Sequence, residues 1–334
     1  MPCYFGRRYV SEVLNPFICN VDNAWEKFSA EILAEITSDA KENSNAVTPA
    51  PPLATAWGKE NVSILNIDIA EITAKCHVQL AVKMNCNQVI GVAAEDKFAK
   101  CLAKYCETYH LKCLLYMGGK DFNESSIKNT KINIKAVRTP EGHYEQALTE
   151  ALRNYTGSDE KTYLAIGSAI GPHPYPQIYI DAITAYVEKL NIQPFDTVIG
   201  VSGVESIPAP ILQKLGKTIV LAEAENAQTL SKGVEGILHG MLTLLLRDNN
   251  GQITTANAIS SAMRYPAAVP VNADYYKNDK LKVVSVSDDE ALNVIKTTPF
   301  TELTNKQAYA CAAAKKFAGK NILIDISNGG CTHD

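Results

Sequence analysis

The sequence predicts an α/β fold, with mostly parallel twisted sheets flanked by helices, on three observations. Short apolar runs alternate with helix-length periodic segments, the pattern of repeated βαβ units. The strand candidates are nearly continuous in apolar residues, as strands covered on both faces are, for example Asp196–Val201 (DTVIGV). A length of 334 residues with 46% apolar content is enough for two domains, or one large one, with a substantial core.

The elements read in order as follows. Val62–Ile67 is a strand, Glu71–Met84 a helix and Gln88–Ala93 a strand. Glu95–Tyr109 is a helix because Phe98, Cys101, Leu102, Tyr105 and Tyr109 recur at its spacing. Lys112–Met117 is a strand, the polar stretch Asp121–Lys131 a weaker helix, Ile132–Arg138 a strand and Tyr144–Tyr155 a helix. The second half repeats the alternation: helix Gln177–Leu190, strand Asp196–Val201, helix Ile207–Leu215, strand Thr218–Ala222. Ser287 followed by Glu290 is a capping box opening a helix. An Ala-rich helix, Asn305–Phe317, precedes a last strand, Asn321–Ile326. The Asn/Pro-rich Glu42–Pro52 reads as a linker or surface loop.

Composition narrows the function classes. Lys+Arg 32 against Asp+Glu 36 gives a net charge of -4, which argues against a general nucleic-acid binder. No apolar run reaches the roughly 18 residues of a membrane span, and the first residues lack a signal-peptide core, so a cytoplasmic protein is expected. The nine cysteines are odd in number and form no CxxC pair, which suits neither a zinc site nor a disulfide framework. Cys101 and Cys106 are read as buried reduced thiols.

No GxGxxG, P-loop, HExxH or GxSxG occurs. The most unusual stretch is Gly167–Pro176 (GSAIGPHPYP), in which three prolines in five residues fix the backbone after an apolar strand. The carboxyl end of a strand is where open α/β sheets place ligands, so this loop is either a ligand loop or a rigid structural one. Ala94-Glu95-Asp96-Lys97 holds a similar position after the strand at 88–93; it reads as an acidic helix start or as a catalytic cluster. His173, wedged between prolines, reads as a hydrogen-bonded structural residue rather than a base.

The GSAIGPHPYP decapeptide resembles the tryptophan synthase β-subunit family, fold-type-II pyridoxal-phosphate enzymes, and the likeness runs over most of the chain. Tyr4-Phe5-Gly6, Tyr116–Asp121, Glu150–Arg153, Thr156-Gly157-Ser158, His239-Gly240-Met241, Gly251-Gln252-Ile253, Tyr265-Pro266 and Ser285–Leu292 match in order. The resemblance implies a two-domain architecture: about 1–48 with 69–182, and about 49–68 with 183–334. It also implies a communication-domain-like region over about 92–167.

The family's chemistry is expected to be absent. Its Schiff-base lysine falls on Ala70, and its acid–base glutamate on Val92, which cannot move a proton. Its glycine-rich phosphate loop becomes Gly203-Val204-Glu205-Ser206-Ile207-Pro208. Val204 and Glu205 replace glycines, Glu205 adds charge where a dianion would sit, and Pro208 removes a donor. The serine facing the pyridine nitrogen falls on Ser327 or Asn328, depending on a one-residue gap. A divergent member that takes no cofactor, pyridoxal phosphate included, and no metal is therefore expected.

Three readings of function follow. The first is a non-catalytic partner subunit, a homodimer or a heteromer with a tryptophan-synthase-like subunit; Glu145, where the family offers a lysine to its α partner, argues against α pairing. The second is a cofactor-independent enzyme acting on an indole-like or cationic aromatic molecule. Its cleft would be bounded by Ile166, Gly167, Ser168 and His173, with Glu95, Asp96, Lys97 and Glu205 as candidate catalytic groups. The third is a pyridoxal-phosphate-dependent lyase with a displaced lysine, such as Lys75 or Lys97.

Overall fold

A computed structural model of the chain describes residues 4–38, 40, 46–159, 161–298, 303–317 and 320–328. In chain order the first half comprises α1 (Asn15–Ile36), β1 (Val47–Pro49), α2 (Pro51–Trp57), β2 (Asn61–Leu65), α3 (Ile69–Lys83), β3 (Gln88–Val92), α4 (Asp96–Thr108), β4 (Lys112–Gly118), α5 (Gly119–Glu124), β5 (Ile134–Val137), α6 (Tyr144–Thr156) and β6 (Thr162–Ile166). There follow α7 (Tyr175–Lys189), β7 (Phe195–Val201), α8 (Ala209–Leu215), β8 (Gly216–Ala224), β9 (Val234–Leu238), β10 (Met241–Leu245), α9 (Pro270–Lys277), β11 (Lys282–Val286), α10 (Asp288–Thr297), α11 (Asn305–Lys316) and β12 (Asn321–Asp325).

Two sheets organise these elements. Four strands in the order β5-β4-β3-β6 pair in parallel. Six in the order β1-β2-β12-β7-β8-β11 pair in parallel except for the antiparallel edge β1–β2. Both have helices over their faces, which is why their central strands bury almost every side chain. Packing is close: a Cβ on Gly91 of β3 would lie 2.3 Å from Leu102 Cδ2 of α4, and that side chain would have to shift to admit it. The α/β fold with mostly parallel, helix-flanked sheets is thus the fold observed.

Local signals account for most boundaries. The Asp68 side chain caps α3 by accepting from Glu71 N–H at 3.0 Å. The Ser287–Glu290 capping box is present in both directions at the start of α10. Cys101 and Cys106 are buried in α4.

Three expectations need correction. The helix expected over Asp121–Lys131 is broken at Ser125, whose backbone is extended, into α5 and a 3₁₀ turn at Ser126–Asn129. Ser126 N–H and Oγ both bond the Asp96 carboxylate, which turns the chain out of a continuous helix. The stretch Glu42–Pro52 is not wholly loop: β1 pairs with β2, and Pro51 opens α2, where a fixed φ suits a first turn. The helix expected from Ile207 starts at Ala209, after Pro208 as its cap residue. Residues 42–45, Cys3 and Cys331 lie outside the described residues. Among the described residues, no helix is long and apolar enough to cross a membrane.

Candidate functional site

The facing ends of the two sheets bring five chain segments together. They are the starts of α3 and α11 and the chain after β3, after β7 and after β12. Ala70, the second residue of α3, donates its N–H to Asn328 Oδ1 at 2.9 Å, while Ser327 Oγ accepts from Ile67 N–H at 3.1 Å. Both residues of the ambiguous Ser327/Asn328 pair are therefore engaged with the backbone entering α3. Asn328 Nδ2 in turn reaches the Glu205 carbonyl at 3.5 Å.

Glu205 is the centre of this site. Its backbone sits in the left-handed region at φ 54, which aims the side chain back toward β3. Oε1 accepts from Ala94 N–H at 2.7 Å, while Oε2 has no partner. The Glu205 N–H is held by Ser168 Oγ at 3.2 Å, so the Gly167–Pro176 loop supports the post-β7 loop from behind. Burial, then the charge of Glu95, raises the Glu205 carboxyl pKa to about 8. Beside it, Lys306 of α11 gives its ammonium to Glu95 Oε2 at 2.6 Å and to the Glu205 carbonyl at 3.0 Å. Burial pulls the Lys306 pKa down, but Glu95 first, and Glu205 after it, carry it above its ordinary value. Asp325, at the end of β12, is pushed up by burial.

The four sequence candidates therefore do not form one cluster. Glu95 and Glu205 meet through Lys306. Asp96 is spent on Ser126, and Lys97 pairs with Asp68 at 2.9 Å on the outer surface. Ile166, Gly167 and Ser168 are buried behind the site, and a Cβ on Gly167 would lie 2.6 Å from the Phe98 ring. His173 is apart from them, its side chain 46% exposed, with Nε2 at 3.3 Å from Asp22 of α1. Val92 is buried at the end of β3, Val204 donates its N–H to the Ala262 carbonyl, and Pro208 caps α8.

Three functional features escaped sequence reasoning. Lys306 left one trace: a cation in the first turn of a helix, opposed by the helix dipole, within an otherwise Ala-rich apolar run. The others are Ser260 and the cluster Asp121–His143–Arg264. Asp121 Oδ1 lies 2.9 Å from His143 Nδ1 and 3.1 Å from Arg264 Nη1, which also bonds Glu124 at 2.8 Å. No group of three or more His, Cys, Asp or Glu among the described residues is placed to hold a metal ion.

Comparison with known proteins shows what the chain is similar to. No family model matches the chain. The tryptophan synthase beta chain of Pseudomonas syringae pv. tomato (strain ATCC BAA-871 / DC3000) is 29% identical over 324 residues, covering 86% of this chain and 79% of that protein. The crystal structure of a threonine deaminase from T.th. superimposes with a TM-score of 0.56 at 12% identity, over 95% of this chain and 99% of that one. The second match shows the fold, two sheets of mostly parallel strands flanked by helices. In sequence the chain is similar to a tryptophan synthase beta chain.

This kinship corrects one expectation. A protein that takes no cofactor is expected from the sequence, yet both comparison proteins belong to pyridoxal-phosphate enzymes, so a cofactor-free protein does not follow from its relationships. The residues expected from the sequence at the cofactor positions bond to one another. Ala70 gives its N–H to Asn328, and the carboxyl of Glu205, from the loop after β7, accepts from Ala94 N–H after β3. The buried amine in the site comes from α11.

Proposed function

We propose that the chain is a partner subunit of a tryptophan-synthase-like assembly, pairing with a second copy of itself or with a tryptophan-synthase-like subunit, and that it makes no tryptophan of its own. The observation that carries this reading is the direct bonding of Ala70, Ala94, Glu205, Lys306 and Asn328 into one buried network. Those segments face a substrate in the family; here they face one another. Val92 supplies no proton transfer at the position of the family's acid–base glutamate. The relative's name, a beta chain, supports a role in an assembly. The charge at Glu145 favours self-association over an α-type partner. The two sheets support a domain division at about 1–48 with 69–182 and about 49–68 with 183–334.

Light scattering on the full chain, with an assay for tryptophan from serine and indole, tests the proposal. A dimer or a copurifying subunit, with no tryptophan above a no-enzyme control, is the expected outcome. A monomer with no partner, or tryptophan formation, overturns it.

One observation favours a second reading, a pyridoxal-phosphate-dependent lyase with a displaced amine. Lys306, rather than Lys75 or Lys97, is the buried ammonium at the site, oriented by Glu95. When bound, that cofactor supplies an electron sink for carbanion chemistry. Borohydride treatment of the protein mixed with pyridoxal phosphate, followed by peptide mapping, decides for this reading if the label is on Lys306.

A further inference from the structure

We infer that the pocket between α5 and the start of α11 is a binding site for a small organic amine cation that carries no carboxylate. The pocket has a volume of about 330 Å³, within the range of small-molecule sites. It lies at the carboxyl ends of β3 and β4, against the chain at Ile259–Ser261. It adjoins the Glu205 network, with which it shares Ala94 and Glu95.

Charge selects the ligand's sign. Glu95, Asp96, Asp121 and Glu124 line the pocket. Lys306 and Arg264 are the lysine and arginine bonded to them, and the His143 ring also meets Asp121, so the four carboxylates outnumber the cationic groups facing them. An anion entering this space would meet that excess at short range in a partly dry site.

Unspent hydrogen-bond capacity selects the ligand's chemistry. Two lining residues carry buried polar atoms with no protein partner: Asp121 Oδ2, on a side chain with 0% exposure, and Ser260 Oγ, on a residue 2% exposed. An ionised carboxylate oxygen accepts only, so it asks for a donor; a serine hydroxyl takes either role. Leaving such atoms unpaired in a native fold is uncommon and calls for a partner. A primary ammonium carries three donors on one cationic centre, which suits a lining that holds an unpaired carboxylate oxygen, an unpaired hydroxyl and further carboxylates. A metal ion is disfavoured because no three metal-ligating side chains converge among the described residues. Met117, Ile259 and Ala94 give the ligand's remainder an apolar wall. An amino acid would bring its carboxylate against Glu95 and Asp96.

Calorimetric titration of the full chain with phenethylamine, and separately with phenylalanine, tests the site. Phenethylamine is expected to bind, at least tenfold more tightly than phenylalanine, and more weakly as salt rises. Ser260→Ala should weaken phenethylamine about five- to tenfold by removing one hydrogen bond, and Asp121→Asn should weaken it further by removing the charge. Ser260→Ala keeps the test valid if Asp121→Asn fails to fold. No phenethylamine heat at millimolar concentration, equal binding of phenylalanine, or unchanged affinity in Ser260→Ala overturns the inference.

Discussion

Two charge clusters lie between the sheets, and they differ in what they border: the first ties chain segments together, the second lines a pocket. In the first, Lys306 joins Glu95 to the Glu205 backbone, and Ala94 N–H takes up one Glu205 oxygen; five chain segments are tied by direct bonds. In the second, Arg264 joins Asp121 to Glu124, but Asp121 Oδ2 and the nearby Ser260 Oγ are left without partners. The first cluster closes a space and the second bounds one. Buried polar groups are normally satisfied, and each cluster keeps one carboxylate oxygen unpaired, Glu205 Oε2 in the first and Asp121 Oδ2 in the second, but only the second adds an unpaired hydroxyl, Ser260 Oγ, and lines the pocket with both residues.

The largest expected effect breaks the first cluster at its centre. Lys306→Ala leaves Glu95 and Glu205 without their shared cation in a buried setting, and should cost about 3–5 kcal/mol of stability in denaturant unfolding. A loss below about 1 kcal/mol would show that the cluster is not what holds the sheets' facing ends together.

A pH effect of intermediate size belongs to Glu205. Its pKa of about 8 stands above the ordinary carboxyl value of 4.5, so the folded state binds more protons than the unfolded one between those values. Its contribution to stability is complete below about pH 4.5 and is lost as pH rises through about 8. Unfolding across that window should show stability falling with pH, and Glu205→Gln, which keeps the Ala94 acceptor but removes the titration, should flatten the fall. An unchanged slope in the variant would refute the assignment.

The smallest effect lies at the rim of the second cluster. Glu124 is 58% exposed, so Glu124→Gln should change stability by less than about 1 kcal/mol in the same unfolding measurement. A loss as large as that of Lys306→Ala would erase the distinction between the clusters.

What the sequence by itself determined was local or periodic. Apolar runs of strand length specified β3, β4, β7 and β12, because a strand buried on both faces needs continuous apolar residues. Helical spacing specified α4, and the Ser287–Glu290 box specified the start of α10 within one turn of chain. Resemblance at the Gly167–Pro176 loop pointed to a family, and Ala70, Val92 and Glu205 were singled out through that resemblance. Tertiary structure decided whom those residues meet. Glu95, Glu205 and Lys306 are separated by 101 residues or more and belong to different sheets' connections. No periodicity within one segment records a pairing made only when two sheets face each other. The same holds for Asp121 with Arg264, 143 residues apart, and for Asp96, whose bonds to Ser126 broke an expected helix. Residue type sets what a side chain can do; which of several carboxylates is neutralised, which is buried and which is left open to a ligand depends on neighbours that only the folded chain supplies.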